Sequence, residues 1–437
     1  MNITIHRGSN EIGGTCIEIE QDGCRIILDL GIPLTKTGGM KFSDNELQSP
    51  TFKEDQLPNI KGLYVNDTPT VDAVLLSHAH MDHYGLMDFI HPDIPIYLSK
   101  DAEAILEVGN IFWSKKMQQK DVLKHCRTFN YWKKFNVRQF SITPYLVDHS
   151  AYGACAYLIE SAGKKVFYTG DFRAHGNKKV TFDNMLKDNA LKGVDALIIE
   201  GTTLGDGHKS SLPSEEDVRI KMTEAFSKQQ DVSFVMCAGS NIDRLISLFK
   251  ATKETGKELV LDLYQYYLLS KLKAVYGKSK LPPLKDDHIR IRYIKGHADK
   301  IAAAFGPELL YKYNHKKITL DEIINNREKL VLRFSMKDMA LLAKKMNEIK
   351  DLKQALFIYS MWSGYLKEQP SLHELHSKFN IPMMEIHTSG HAYKNDLLRF
   401  IDALQPKVLI PVHTLNANEY KKEVKTINVT TNKQISL

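Results

Sequence analysis

The chain has 437 residues, more than one ordinary hydrophobic core organises, so two domains or one domain with a large insertion are expected. Hydrophobic residues at 43% and charged residues at 25% are globular values; with no long apolar run and no low-complexity tract, they exclude a membrane-spanning or disordered chain. The net charge of +7 is compatible with a polyanionic partner and too small to require one.

From the N-terminus, MNITIHRGSNEIGG has no basic region followed by an apolar segment and a small-residue cleavage site, so a cytoplasmic location is expected. Cys16, Cys24, Cys126, Cys155 and Cys237 form no CxxC pair and are odd in number, which argues against a disulfide framework or a thiolate zinc site. Short apolar runs follow: RIILDLG at 25–31, VDAVLLSHAH at 71–80, KVFYTGD at 165–171 and DALIIEGT at 195–202. Each reads as a buried strand whose C-terminal end delivers polar side chains to one edge. GDGHKSSLPSEED at 205–217 reads as a linker. Beyond it, SFVMCAGSN, helical IDRLISLFKAT, ELVLDLY, HIRIRYI, KLVLRFS, helical KDMALLAKKMNEI and QALFIYS alternate in type, predicting parallel strands covered by helices. The chain closes with PMMEIHTSGHA, helical AYKNDLLRFIDAL and a strand in KVLIPVHT at 407–414. The lysines of KKEVK at 421–425 read as a solvated helix face.

The chemistry concentrates at strand ends. In SHAHMDH, alternating residues leaving a strand point the same way, so His78 and His80 can hold one metal ion while Asp82 and His83 reach a neighbouring one. Imidazole and carboxylate without thiolate suit a catalytic zinc site that keeps a position open for water. Further ligand candidates stand at other strand ends: His149 in VDHSAYG, Asp171 in YTGDFR and His413 in IPVHT. A carboxylate such as Asp171 can bridge two ions.

Taken in order, GSNEIGGTC, LDLG, SHAHMDH, DHSAYG, YTGDFR, EGT, HTSGHA and PVH resemble the metallo-β-lactamase fold hydrolases and, among them, the β-CASP nucleases. HTSGHA, PVH and GSNIDR at 239–244 are most similar to the ribonuclease J family. The resemblance implies an α/β fold, an αββα metallo-β-lactamase sandwich with an inserted α/β β-CASP domain. Residues 1–205 would form the first part of the sandwich, 206–379 the β-CASP domain and 380–437 the return to the sandwich. It also implies that His78, His80 and His149 hold a first zinc and Asp82, His83 and His413 a second, with Asp171 bridging and manganese an alternative ion. Asp29 corresponds to a carboxylate that orients a ligand histidine, Glu200 to one that supports a catalytic histidine, and His391 to the residue that acts on the scissile phosphate.

His387 and His391 of HTSGHA have the spacing of a helical metal pair, but Ser389 and Gly390 between them, and β-like PMMEI before them, predict a strand ending in a tight turn. Such a turn entering a helix offers backbone N–H groups to an anion, so Ser389 and Gly390 are expected phosphate contacts, with Ser240 and Ser363 alongside. His387 has no assigned step. Trp362 and Tyr365 could stack on a base or pack between domains. The expected activity is hydrolysis of single-stranded RNA in an interdomain channel, endo- or 5′-exonucleolytic, with no membrane partner. A DNA nuclease of the same branch and a non-catalytic nucleic-acid-binding subunit stay open. Ribonuclease J continues past PVH with a domain that helps it dimerise; the chain ends 24 residues after His413, so that domain is expected to be absent and a homodimer is left open.

Overall fold

The structure is a computed structural model that describes residues 1–36, 40, 42–43, 45–46, 49, 51–113, 121–205, 210–276, 281–335, 342, 344–348, 352–367, 377, 380–420 and 431–437. The lysine run at 421–425, linker positions 206–209 and much of the helix expected over 337–349 fall outside the described residues. The chain divides into two compact units, Met1–Asn110 with Lys115–Lys209 and Gly390–Leu437, and Ile111–Ser114 with Ser210–Ser389.

The first unit is a sandwich of two sheets. One has seven strands in the order Gln434–Ser436, Asn2–Arg7, Cys16–Gln21, Cys24–Leu28, Ala73–Leu75, Ile96–Ser99 and Cys126–Phe129. The other has six, in the order Leu409–Val412, Ala196–Glu200, Lys164–Tyr168, Cys155–Ser161, Phe140–Leu146 and Phe135–Val137. Period-two alternation turns Ile3, Ile5, Ile17, Ile19, Ile26 and Leu28 inward, where they share one core with Ile142, Tyr157, Ile159, Val166, Tyr168 and Ile198. Each such side chain, once buried, contributes roughly 1.5–3 kcal/mol. The intervening Ile27, Val74 and Leu98 are buried as well, so the first sheet is covered on both faces and its inner strands read as continuous apolar runs. On the far face of the second sheet, Leu158, Phe167, Leu197 and Ile199 pack with Phe182 and Met185 of helix Val180–Lys187 and with Leu397, Phe400 and Leu404 of helix Lys394–Leu404.

The second unit holds a wholly parallel sheet of Lys317–Ile318, Ile289–Arg292, Glu258–Asp262, Leu330–Phe334, Ser233–Met236, Leu356–Tyr359 and Met383–Glu385. Its apolar runs and the helix Ile242–Glu254 form where the alternation predicts them; the Asn241 side chain caps that helix by accepting from the Arg244 amide. Met383–Glu385, grouped by sequence with the C-terminal segment, pairs instead with Leu356–Tyr359 at the edge of this sheet. Among the described residues no helix is long and apolar enough to cross a membrane.

Candidate metal centre

The strand Ala73–Leu75 ends two residues before Ser77, and from there the backbone of SHAHMDH is gripped from outside: Thr15, Leu30 and Ile32 donate their amides to the carbonyls of Asp82, His83 and Met81. Gly31 of LDLG lies so close that a Cβ there would stand 1.7 Å from the Asp82 carbonyl oxygen, which only glycine avoids. Asp29, one turn earlier, has φ +58, and His413 after the strand Leu409–Val412 has φ +51. Two non-glycine residues in the left-handed region at strand ends are strained positions of the kind that cluster at functional sites.

Four overlapping groups of potential ligand atoms assemble there, the atoms of each within 4.8 Å of one another. They are His78, His80 and His149; Asp82, His83 and His413; His78, His83 and Asp171; and Asp171, Glu200, His391 and His413. Asp171 Oδ2 reaches a histidine of each of the first two triads, 3.8 Å from His78 Nε2, 3.2 Å from His83 Nε2 and 3.9 Å from His413 Nε2.

Each imidazole is aimed by a partner on its other side. The Ser77 hydroxyl, 2.7 Å from Asp29 Oδ2, gives that carboxylate its only proton, so at 3.0 Å it must accept from His78 Nδ1, which leaves the lone pair on Nε2. Asp29 also accepts from His83 Nδ1 at 2.8 Å and from the Tyr168 hydroxyl at 2.6 Å. His149 Nδ1 donates to the Gly390 carbonyl at 2.6 Å, turning its Nε2 to within 3.2 Å of His80 Nδ1. His413 Nδ1 lies 2.8 Å from Thr202 Oγ1, and its Nε2 lies 3.2 Å from Asp82 Oδ2. A buried ion pair fastens two ligand loops together: Arg173 Nε is 3.1 Å from Asp148 Oδ1, next in sequence to Asp171's and His149's segments.

The electrostatics divide the cluster. Burial pushes His78 and His149 well below the ordinary imidazole range and His80 to about 4, with neighbouring histidines adding to the effect on the first two. Burial acts on His83 in the same sense but is overcome by Asp171, Asp29 and Asp82, which raise it well above that range. Asp82 and Asp171 are held low despite burial by His83 and His413. A metal fits this set on direct grounds. The Nε2 atom of His78 is buried without a hydrogen-bond partner, an expensive arrangement unless a cation takes its lone pair, and the donors are the nitrogen and oxygen types that zinc accepts.

Glu200, at the end of Ala196–Glu200, accepts from the Phe172 amide at 3.0 Å and stands 3.1 Å from His391 Nδ1. Burial lowers the His391 imidazole, but Glu200 and Asp171 outweigh it and bring the group to about 9. His391 is thus held beside the cluster by a carboxylate. His387 is held differently: its amide donates to Ser211 Oγ at 2.9 Å, its carbonyl accepts from the Leu212 amide at 3.0 Å, and its Nδ1 lies 3.3 Å from Arg244 in the second unit. Gly390 offers its carbonyl to His149, and a Cβ there would meet Ser150 Oγ at 2.7 Å. Ser240, Ser363 and Ser389 all belong to the second unit, as do Trp362 and Tyr365, whose rings meet edge to face at 5.2 Å. Sequence reasoning missed Ser77, Tyr168, Thr202 and the Gly390 carbonyl; only the serine inside SHAHMDH carried a local signal.

Residues 49–232 match the model of the "Beta-lactamase superfamily domain" and residues 383–429 that of the "Zn-dependent metallo-hydrolase RNA specificity domain". The chain thus combines a metallo-β-lactamase domain with an RNA specificity domain of zinc-dependent metallo-hydrolases, and its relatives include β-CASP proteins. It is 24% identical over 389 residues to a protein named Ribonuclease J of Sinorhizobium meliloti, covering 83% of this chain and 62% of that one. It is 23% identical to Cleavage and polyadenylation specificity factor subunit 3 of Dictyostelium discoideum, over 99% of this chain and 56% of that one. The chain thus spans less than two thirds of the length of these relatives. A crystal structure of a protein of unknown function from Enterococcus faecalis superposes with a TM-score of 0.78 at 22% identity, covering 100% of this chain and 99% of that one, which establishes the fold over the whole length.

Proposed function

We propose that the chain is a metal-dependent phosphodiesterase that hydrolyses single-stranded RNA. In this reading His78, His80 and His149 would hold one zinc ion and Asp82, His83 and His413 the other, with Asp171 as a ligand available to both and manganese as the alternative ion. The observation that carries it is the convergence of seven imidazoles and carboxylates, among which the buried Nε2 of His78 lacks a hydrogen-bond partner. Two ions bound there would supply water activated at neutral pH and positive charge opposite the phosphoryl oxygens.

The chain's own residues provide the rest. Asp29 and Ser77 hold the rings of His83 and His78, and the Gly390 carbonyl holds that of His149. Glu200 fixes His391 by its Nδ1 edge, so that His391 hydrogen-bonds the scissile phosphate or gives a proton to the leaving oxygen. Ser389, Gly390, Ser240 and Ser363 are proposed contacts of the nucleotide backbone. RNA is favoured over DNA because the C-terminal match is to an RNA specificity domain and the relatives are named as ribonucleases. A cytoplasmic location belongs to the same proposal.

The test is digestion of end-labelled RNA and DNA, each with a 5′-monophosphate or a 5′-triphosphate, by wild type and by Asp82→Ala, with bound metal measured on the same preparations. RNA cleavage lost in Asp82→Ala supports the reading. Equal cleavage by both proteins sinks it, and equal turnover of matched DNA removes the preference for RNA.

A further inference from the structure

Trp132 is 57% exposed and has φ +59, a conformation that L-residues with bulky side chains seldom adopt and that costs roughly 1–2 kcal/mol. Its amide donates to the Pro144 carbonyl at 2.7 Å, which holds the strained backbone in place and leaves the indole outside. It lies in the link between Cys126–Phe129, an edge strand of the first sheet, and Phe135–Val137, an edge strand of the second.

The surrounding segment is basic. Residues 122–138, VLKHCRTFNYWKKFNVR, contain five Lys or Arg and no acidic residue. Lys124, Lys134 and Arg138 are paired with Asp121, Glu160 and Asp72. Lys133 and Arg127 are exposed and have no ion pair among the described residues; Arg127 lies over the Tyr97 ring at 5.9 Å. Lys100 reaches Asn130 Oδ1 at 3.4 Å in the same link. Lysines on edge strands guard against stray strand pairing, which explains the charges but not an exposed indole held at positive φ. Beneath it, the Tyr131 hydroxyl lies 2.9 Å from the Gly153 carbonyl and 3.0 Å from Asp101 Oδ2. Gly153 belongs to the DHSAYG loop that carries His149, so the link is moored to a loop of the metal centre.

We propose that Trp132, with Lys133, Arg127 and Lys100, is a stacking platform for single-stranded RNA outside the metal centre. A base stacks on the indole while the cations face the phosphates on either side, a combination that binds single strands with little regard for sequence. Exposed cations that form no ion pair among the described residues suit a polyanion, and the flat aromatic face suits an unpaired base. The proposal rests on the RNA reading for its substrate, but its binding test does not require cleavage.

Binding of labelled single-stranded RNA is read by fluorescence anisotropy on the full chain, with and without chelator, and cleavage of the same RNA is followed in parallel. Trp132→Ala and Trp132→Gly are expected to raise Kd about tenfold and Trp132→Phe to restore most of the affinity. Trp132→Gly should do so without lowering Tm, because glycine accepts positive φ; a purely structural role would lower both together. Lys133→Glu should flatten the dependence of Kd on salt. Unchanged Kd in Trp132→Ala overturns the platform, and a wild type that binds no RNA overturns it as well. If wild type cleaves RNA and Trp132→Ala binds it equally well, the platform alone fails. If wild type binds without cleaving and Trp132→Ala weakens binding, the platform stands and the nuclease reading falls.

Discussion

The two triads of the metal centre are aimed by different chemistry. His78 and His149 are turned by neutral groups, the Ser77 hydroxyl and the Gly390 carbonyl, and burial keeps them and His80 uncharged. His83 is clamped by the Asp29 carboxylate, with Asp82 and Asp171 ionised beside it. One triad therefore offers three neutral nitrogens, and the other a carboxylate oxygen and two imidazoles, one of them made more basic by its anionic partner. The difference predicts two unequal positions, the second better suited to a harder, oxygen-seeking ion such as manganese.

The largest effect is expected at the residue both triads share. Asp171→Ala should leave no measurable cleavage and reduce bound metal at both positions, counted by elemental analysis of the purified protein. A variant that still held two ions would show that the triads are independent. Next comes His391→Ala, which touches neither orienting set: kcat should fall about 10²- to 10⁴-fold, the usual reach of acid–base assistance, with metal content kept. Metal lost in that variant would place His391 among the ligands and dissolve the distinction. Asp29→Asn then separates the triads directly. Competition with a chromophoric chelator should show metal affinity weakened about 10- to 100-fold at one position while the other is unaltered. Equal weakening of both would mean that the partner's charge does not set the difference.

How much of this could be read from the sequence follows from where chemistry leaves a local mark. His78, His80, Asp82 and His83 stand within six residues at the end of one apolar run, so strand geometry alone pairs them. The parallel sheet of the second unit is equally legible, because buried strands such as Ser233–Met236 and Leu330–Phe334 are apolar throughout. Contacts without local pattern are not. Thr202 and His413 are 211 residues apart, and their pairing needs the parallel register of Ala196–Glu200 with Leu409–Val412. A carbonyl such as that of Gly390 has no residue type to announce it. Met383–Glu385 is too short for its sequence to say which sheet it joins, and pairing with Leu356–Tyr359 decides it. His387 and His391 look alike in sequence and differ only because Ser211 and Leu212 hold one backbone while Glu200 holds the other ring.

The smallest effect separates the stability of the fold from that of the centre. Glu18, on the middle of three adjacent strands of the first sheet, lies 2.8 Å from His6 Nε2 and 2.6 Å from Arg25 Nε. Burial would raise its carboxyl, but the hydrogen bonds from His6 and Arg25 win and hold it at about 2. A carboxyl depressed on folding adds stability that is complete above its unfolded value near 4.5 and fades as pH falls toward about 2. Glu18→Gln should therefore lower Tm modestly at neutral pH and flatten its fall over that acid window, while metal content and cleavage at neutral pH stay at wild-type levels. If the acid slope of Tm is the same in Glu18→Gln, the acid sensitivity of the sandwich arises elsewhere, and the carboxylates around His83 become the next to substitute.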